Sequence, residues 1–253
     1  MLITNYNNEY YIKDCINSLI NQTYKNIEII FHDDCSNDNS LKILKNYKIV
    51  KLIKNKKRTN IGSFNQIKGY QRAFKKSSGD IIFFLDSDDF FKLNKIKKII
   101  KIFEKNKNLS TVFDLPIISN GKKNIYQKNK RKILDNYWPY IAPQSCISIR
   151  RNEFKKVINK VNFNLFPDIW MDFRIALYQK QISKNLFVIN ENLTYYRQTP
   201  NMISSKFKFL SFSWWKRRRQ AHEYVKYFFN KNNILHRKNI DFFLTFIVNL
   251  FIR

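Results

Sequence analysis

The first hundred residues alternate between two hydrophobic patterns. Short, mostly apolar runs are typical of buried strands, and they lie at residues 2–3, 27–31, 49–53 and 81–85. Apolar positions at helical spacing separate these runs, and the helices that they predict cover residues 12–20, 41–47, 64–75 and 93–103. Repeated strand–helix units predict an α/β fold of Rossmann-like type, with a mostly parallel sheet flanked by helices.

The alternation fades after about residue 110, and the last fifty or so residues differ again. Trp214 and Trp215 precede a basic run at 216–219, a helical stripe follows, and the chain closes on the apolar stretch 242–252. We therefore divide the chain into a strand–helix half, a mixed half of the same domain and a helical C-terminal extension rich in basic and aromatic residues. These parts are residues 1–115, 116–205 and 206–253.

Charge changes this picture only in part. The 253 residues include 47 Lys and Arg against 19 Asp and Glu, a formal net charge of +28. Such an excess suggests a polyanionic partner, either nucleic acid or an anionic membrane surface. A Lys-rich composition on solvated faces explains the same number. The hydrophobic share of 44% excludes a disordered chain.

The three cysteines, Cys15, Cys35 and Cys146, are far apart and form no C-x-x-C pair. They indicate neither a disulfide framework nor a zinc site, so we expect a reducing, cytoplasmic location. The N-terminus turns polar after residue 3, unlike a secretory signal. No apolar run reaches the roughly 20 residues that span a bilayer.

Two acidic clusters lie where predicted strands end. Asp33 and Asp34 follow the second strand, and Asp86, Asp88 and Asp89 follow the fourth. Ligands of parallel α/β sheets bind outside the carboxyl ends of the strands. Because five of only 19 acidic residues are concentrated there, both clusters are candidate binding sites.

The second cluster suggests a divalent cation. Its carboxylates repel one another, and Mg²⁺ or Mn²⁺ would compensate through oxygen ligands. The alternative is a solvated Asp turn that caps the next helix. For Asp34 the alternatives are a hydrogen bond to a nucleotide and a capped turn. The chain contains no P-loop or G-x-G-x-x-G motif, and its three histidines are too scattered to support a Ser-His-Asp triad.

Four segments in order resemble glycosyltransferase family 2. They are residues 3–7, residues 18–30, the acidic loop 33–40 and residues 84–89, which read Phe-Leu-Asp-Ser-Asp-Asp. A weaker match extends to about residue 205. The resemblance implies the GT-A fold and a nucleoside-diphosphate sugar donor, in the first place a UDP-sugar. It also implies transfer of the sugar, with inversion, to an acceptor hydroxyl.

The resemblance assigns donor-binding roles to the first half of the chain. Thr4 and Tyr6 match positions that line the nucleoside pocket, and Asp34 matches the acid that hydrogen-bonds the base. Residues 1–115 would then bind the donor, and residues 116–205 would bind the acceptor.

The D-x-D pair of the family matches Asp86 and Asp88, which implies a bound divalent cation, Mn²⁺ or Mg²⁺. Asp88 and Asp89 match the positions nearest the ribose, the metal and the diphosphate. Such a metal stabilises the leaving nucleoside diphosphate as a Lewis acid.

Two later segments match less closely. Asp172 matches the family's catalytic base, with Asp168 as the fallback because Met171 replaces the usual preceding acid. Arg197 lies in a segment that resembles the family's Tyr-Arg motif, where Thr199 stands in place of a common His. Arg197 could therefore bind the diphosphate through its planar guanidinium.

The family's usual setting implies a glycan or lipid-linked acceptor in surface polysaccharide or glycan assembly. The C-terminal extension suits either an interfacial helix on the inner face of the membrane or a helix packed on the domain. A catalytically inactive GT-A relative and a basic nucleic-acid-binding protein are the alternative functions. We do not expect a nucleic-acid partner, since the basic residues are spread along the chain without a recognised motif.

Overall fold

The computed structural model describes residues 1–128, 138–160, 164–199, 202–236 and 238–251. Its described strands form one sheet. They are β1 (Leu2–Asn5), β2 (Ile29–Asp33), β3 (Val50–Lys54), β4 (Ile81–Asp86), β5 (Phe90–Phe91), β6 (Thr111–Ser119), β7 (Asn124–Tyr126), β8 (Ile147–Arg150) and β9 (Leu186–Arg197). The α-helices are α1 (Ile12–Ile20), α2 (Ser40–Leu44), α3 (Gly62–Lys75), α4 (Lys95–Lys105), α5 (Arg151–Lys160), α6 (Met171–Tyr178), α7 (Phe212–Lys231) and α8 (Ile240–Phe251).

The sheet has a parallel part and a mixed part. Its strand order is β3-β2-β1-β4-β8-β6-β9-β5, with β7 paired to β6. The first four strands in this order are parallel. Beyond them β8 is antiparallel to both neighbours, β9 is parallel to β6, and β5 is antiparallel to β9. The carboxyl ends of β1, β2 and β4 therefore meet at one edge, where the acidic clusters lie.

Helices cover both faces of the sheet. On one face α3, α5, α6 and α7 pack around Phe84, whose ring meets Tyr70 and Phe154 edge to face at 5.1 and 5.0 Å. On the other face α1 and α4 pack around Phe31 and Leu85. Adjacent strand residues point to opposite faces, so burial on both sides explains the apolar runs of β1, β2 and β4.

The elements predicted for the first hundred residues are confirmed. All four predicted strands and all four predicted helices occur, each within about two residues of its expected bounds, except that α2 ends at Leu44, three residues before the expected end. The α/β fold with a sheet flanked by helices is also confirmed, and the sheet is parallel across β3, β2, β1 and β4. Strand β6 crosses residue 115, so the sheet runs through the boundary we drew between the two halves.

The C-terminal extension is helical and packs on the domain. Arg218 and His222 of α7 both contact Asp241 of α8, at 2.5 and 3.0 Å. Asp241 also accepts a hydrogen bond from the Trp138 indole (3.2 Å). Residue 252 of the predicted apolar stretch lies outside the described residues.

Across the described residues, none of the helices combines the length and the apolar character that a membrane span needs.

Candidate active site

A pocket opens at the carboxyl ends of β1, β2 and β4. It brings together seven of the nine predicted site residues, namely Thr4, Tyr6, Asp34, Asp86, Asp88, Asp172 and Arg197. Asp89 and Asp168 do not line it. Side chains from both halves of the chain thus converge on one cavity.

One end of the pocket is built around Asp34. This buried carboxylate accepts hydrogen bonds from the Asn55 amide (2.7 Å) and from Arg58 Nε (3.1 Å). The Arg58 guanidinium also stacks on Tyr6, 3.2 Å from the ring centroid. An aromatic face, a carboxylate and two sets of N–H donors therefore lie side by side.

Asp86 is held by three donors on one oxygen. Its Oδ1 accepts hydrogen bonds from Thr4 (3.3 Å), Gln66 (2.7 Å) and Tyr70 (2.7 Å). Gln66 and Tyr70 lie four residues apart on α3, hence on one helix face. Burial raises the pKa of Asp86 although these hydrogen bonds oppose the shift.

Close approach of α3 to the sheet depends on Gly69. A Cβ at this position would lie 2.8 Å from His32 Nδ1 and 2.9 Å from Thr4 Cγ2. The absence of a side chain therefore lets the helix come near enough for Gln66 and Tyr70 to reach Asp86.

Asp88 and Asp89 are neighbours with different surroundings. Asp88 lines the pocket and accepts a hydrogen bond from the Thr199 hydroxyl (3.3 Å). Burial and the charge of Asp86 raise the pKa of Asp88 to about 7.

Asp89 is fully engaged inside the protein. Its two oxygens accept hydrogen bonds from the Ser145 hydroxyl (2.5 Å) and the Arg197 backbone N–H (2.9 Å). Ser145 also accepts a hydrogen bond from the Asp86 backbone N–H (3.0 Å). Asp89 ties the acidic loop to the later strands, because both of its oxygens accept hydrogen bonds from protein donors; its contact with the donor stays a prediction.

Asp172 lies in the first turn of α6, in the pocket wall that the second half of the chain contributes. Its Oδ1 accepts a hydrogen bond from the Phe173 backbone N–H (2.6 Å). Burial raises the pKa of Asp172 to about 6, against the lowering effects of that N–H and of the nearby Arg217 charge. The fallback Asp168 instead accepts a hydrogen bond from Gln220 of α7 (2.8 Å) and stays outside the pocket wall.

Arg197 faces the pocket with spare donor capacity. Its Nη2 pairs with Asp14 (2.5 Å), and its guanidinium lies 4.6 Å from the Phe90 ring centroid. Buried Nη1 has no hydrogen-bond partner among the described residues.

The basic and aromatic run at 214–219 suggested a polyanionic partner. Its arginines form contacts within the protein. Arg217 stacks on Trp170 at 3.4 Å, Arg218 pairs with Asp241, and Arg219 pairs with Glu223 (2.9 Å). These contacts leave this run less free to bind a polyanion.

The sequence analysis missed several residues of this site. Asn55 and Arg58 follow β3, and the carboxyl end of β3 meets the same sheet edge, which is a signal that topology could have provided. Gln66 and Tyr70 had the helical spacing to share a face. Gln144 also lines the pocket, and no sequence signal singled it out.

Matches to known proteins cover almost the whole chain. The sequence model of glycosyl transferase family 2 matches residues 1–246. The chain belongs to glycosyltransferase family 2. The resemblance that the four N-terminal segments carry therefore extends into the C-terminal helices.

Two relatives show how similar this family 2 glycosyltransferase is to other proteins. An uncharacterized glycosyltransferase of Nostoc sp. strain PCC 7120 is 29% identical over 213 residues, covering 78% of this chain and 63% of the relative. Escherichia coli WfgD, a UDP-Glc:α-D-GlcNAc-diphosphoundecaprenol β-1,3-glucosyltransferase, is 35% identical over 124 residues, covering 48% of this chain and 47% of WfgD. The chain therefore spans less than two thirds of the length of each.

A solved structure confirms the fold. The crystal structure of Staphylococcus aureus TarS in complex with UDP-GlcNAc superposes with a TM-score of 0.67 at 18% identity, covering 87% of this chain and 64% of that one. This family 2 glycosyltransferase therefore has the GT-A fold.

Proposed function

We propose that this glycosyltransferase moves a sugar from a UDP-sugar to an acceptor hydroxyl, with inversion and with the help of a divalent cation. The observation that carries the proposal is the convergence of Asp34, Asp86, Asp88 and Asp172 in one pocket. The acids that match donor binding and the acid that matches the base come from distant parts of the chain, yet line one cavity.

The surroundings of Asp34 favour uracil as the base. A carboxylate only accepts hydrogen bonds, so it suits the N3–H of uracil and disfavours cytosine and adenine, which present a lone pair at the equivalent position. The Arg58 guanidinium supplies further N–H donors beside it, which suit the uracil carbonyl oxygens. Tyr6 supplies a ring face for stacking. Guanine also carries an N–H at the equivalent position, so GDP is the informative competitor.

The donor set fits Mg²⁺ or Mn²⁺. Asp86 and Asp88 offer oxygen ligands, their pKa values are raised by burial, and neither has an ion-pair partner among the described residues. In the described part of the chain, no group of three or more Asp, Glu, His or Cys side chains is arranged to hold a metal ion by itself. Two carboxylates would leave the other ligand positions to diphosphate oxygens and water. When bound, the cation would supply Lewis-acid stabilisation of the leaving diphosphate.

The chain's own residues account for the remaining steps. Asp172 accepts the proton of the attacking acceptor hydroxyl as general base, and its pKa near 6 leaves it ionised at neutral pH. Arg197 Nη1 donates to a diphosphate oxygen. Asp89 and Ser145 position the acidic loop without touching the donor. One base without a covalent nucleophile corresponds to a single displacement, which inverts the anomeric carbon.

A lipid-linked acceptor on a membrane surface fits the C-terminal helices. The name of WfgD gives it a diphosphoundecaprenol-linked acceptor. In this chain α8 exposes a row of apolar side chains, Phe243, Leu244, Ile247, Leu250 and Phe251. Lys216, Arg219 and Lys238 lie beside α8 and complement anionic headgroups. We infer that α8 rests on the cytoplasmic face of a membrane, close to its acceptor.

Calorimetric titration tests the nucleotide part of the proposal. With Mn²⁺ present we expect UDP to bind more tightly than GDP, and Asp34→Asn to weaken UDP binding by about 10- to 100-fold, since hydrogen bonds to charged groups contribute about 1.5–3 kcal/mol. Release of UDP from a panel of UDP-sugars then identifies the donor, and NMR of the product gives its anomeric configuration. Equal affinity for UDP and GDP would contradict the assigned base, and UDP binding without any sugar transfer would support an inactive relative.

A further inference from the structure

Among the buried glutamines that the structure describes, Gln144 is the exception in the hydrogen bonding of its side chain. It begins a short 3₁₀ turn (Gln144–Cys146) and is 5% exposed. Among the described residues, neither its amide nitrogen nor its amide oxygen has a hydrogen-bond partner. A buried polar group in this state is unfavourable for folding, and such groups are rare in native proteins.

Gln22 shows what a structural glutamine looks like here. Its side chain is fully buried, its amide nitrogen donates to the carbonyls of Ser18 (2.9 Å) and Lys92 (2.8 Å), and its oxygen accepts from the Ile96 N–H (3.1 Å). Gln22 therefore uses both ends of its amide to join elements. The Gln144 amide connects no elements among the described residues, so its burial needs a different explanation.

The location of Gln144 supplies that reason. Gln144 lines the same pocket as Asp86, Asp88 and Asp172. The next residue, Ser145, hydrogen-bonds both the Asp86 backbone and the Asp89 side chain, so Gln144 is anchored beside the acidic loop. The sugar of a nucleotide sugar is bonded to the diphosphate and must also face the general base. It therefore has to occupy the pocket between the acidic loop and Asp172.

We propose that Gln144 binds the sugar of the donor and is a specificity-determining residue for a neutral sugar. This inference rests on the proposed function. An amide both donates and accepts hydrogen bonds, which matches a sugar hydroxyl or an acetamido group. Trp170, in the same pocket wall, also has a buried indole N–H without a partner among the described residues and supplies one further donor.

The test compares UDP with UDP-sugars on the full chain. Titrations with UDP, UDP-GlcNAc and UDP-glucose in Mn²⁺ are run on the wild type and on Gln144→Met, which keeps side-chain length and removes the amide. We expect the UDP affinity to change by less than about twofold, and the affinity of at least one UDP-sugar relative to UDP to fall by about fivefold or more, as for a lost hydrogen bond. Which sugar responds distinguishes a hydroxyl contact from an acetamido contact.

Two outcomes overturn the inference. One is an unchanged ratio of UDP-sugar to UDP affinity in Gln144→Met. The other is a loss of thermal stability in Gln144→Met as large as that in the matched control Gln22→Met, which would give Gln144 a structural role. We expect only Gln22→Met to lower Tm. If the wild type fails to bind UDP at all, the proposed function itself falls, and the inference falls with it.

Discussion

The two walls of the pocket differ in how their polar groups are used. In the wall that β1, β2, β4 and α3 build, Asp34 has two side-chain donors and Asp86 has three. In the wall contributed by later residues, Gln144, Trp170 and Arg197 each keep a buried polar atom that no described residue satisfies.

This difference separates two tasks. The first wall holds its acids in place before any ligand arrives, as expected for recognition of a constant group such as a nucleotide. The second wall keeps hydrogen-bonding capacity in reserve, at Arg197 for the diphosphate and at Gln144 and Trp170 for the sugar, which varies between donors. Substitutions of Asp34 and Asp88 in the first wall should therefore affect nucleotide binding, whereas substitution of Asp172 in the second wall should affect transfer.

Asp172→Asn should show the largest difference between its effect on sugar transfer and its effect on UDP affinity. Removing a general base lowers rates by about 10²- to 10⁴-fold, so sugar transfer should fall by that factor while UDP affinity stays within about twofold. Rates of UDP release and calorimetric titration measure the two quantities. Asp168→Asn is the matched control and should keep its activity, because Asp168 lies outside the pocket. A joint loss of UDP binding in Asp172→Asn would break the division between the walls.

The pH profile refines that prediction. Burial raises the pKa of Asp172 to about 6, the charge of Asp86 adds to this, and Arg217 opposes it. Since a base must be ionised to accept a proton, the transfer rate should rise with pH through about 6 and then level off. Arg217→Gln removes a positive charge, so the midpoint should move to higher pH. A midpoint that moves to lower pH would contradict the assignment.

A large effect on stability is expected behind the second wall. Lys95 and Asp114 form a fully buried ion pair (2.7 Å), and Lys95 also donates to the Ser145 carbonyl (2.7 Å). Breaking such a pair costs about 3–5 kcal/mol, because one charge stays buried alone. Urea unfolding of Lys95→Met should show this loss. The double variant Lys95→Met, Asp114→Leu should recover most of the lost stability, because no unpaired charge then stays buried. If it does not, the loss comes from altered packing and not from an unpaired charge.

The neighbouring acids Asp88 and Asp89 should behave differently, because only Asp88 lines the pocket. We expect Asp88→Asn to weaken Mn²⁺-dependent UDP binding by about 100-fold, since Lewis-acid contacts contribute several kcal/mol, with Tm unchanged. Asp89→Asn should instead lower Tm, because both oxygens of Asp89 accept internal hydrogen bonds. Calorimetry and thermal unfolding of both variants decide. If Asp89→Asn loses as much UDP affinity as Asp88→Asn and keeps its Tm, Asp89 contacts the donor.

The smallest effect is expected far from both walls. Replacing Leu250 and Phe251 together by Ser should lower binding to phosphatidylglycerol vesicles by about tenfold or more, because burying such a side chain stabilises by about 1.5–3 kcal/mol. Co-sedimentation measures it. Ile49→Ser, another exposed apolar position, is the control and should bind normally. Equal vesicle binding by all three proteins would remove the membrane from the proposal.

The predictable part of the site is the part with local signals. Asp34 and Asp86 follow short apolar strands, so pattern and topology together place them at one edge. The helix α6 is buried along its whole length and has no amphipathic stripe, which hid the element that bears Asp172. Strand β9 mixes apolar and polar residues and pairs with β6, about seventy residues earlier, a contact without any local signature. Gln144 differs from other glutamines only in what surrounds it.

The missing methyl group at Gly69 limits how the site can change. Replacing it by Ala would push α3 away from the sheet, since its Cβ would lie under 3 Å from both His32 and Thr4. The two α3 donors to Asp86 would move with the helix. Side-chain volume rather than charge therefore decides which residues this position tolerates. If α3 were exchanged for that of a relative, the new helix would need a glycine here to keep Asp86 in place.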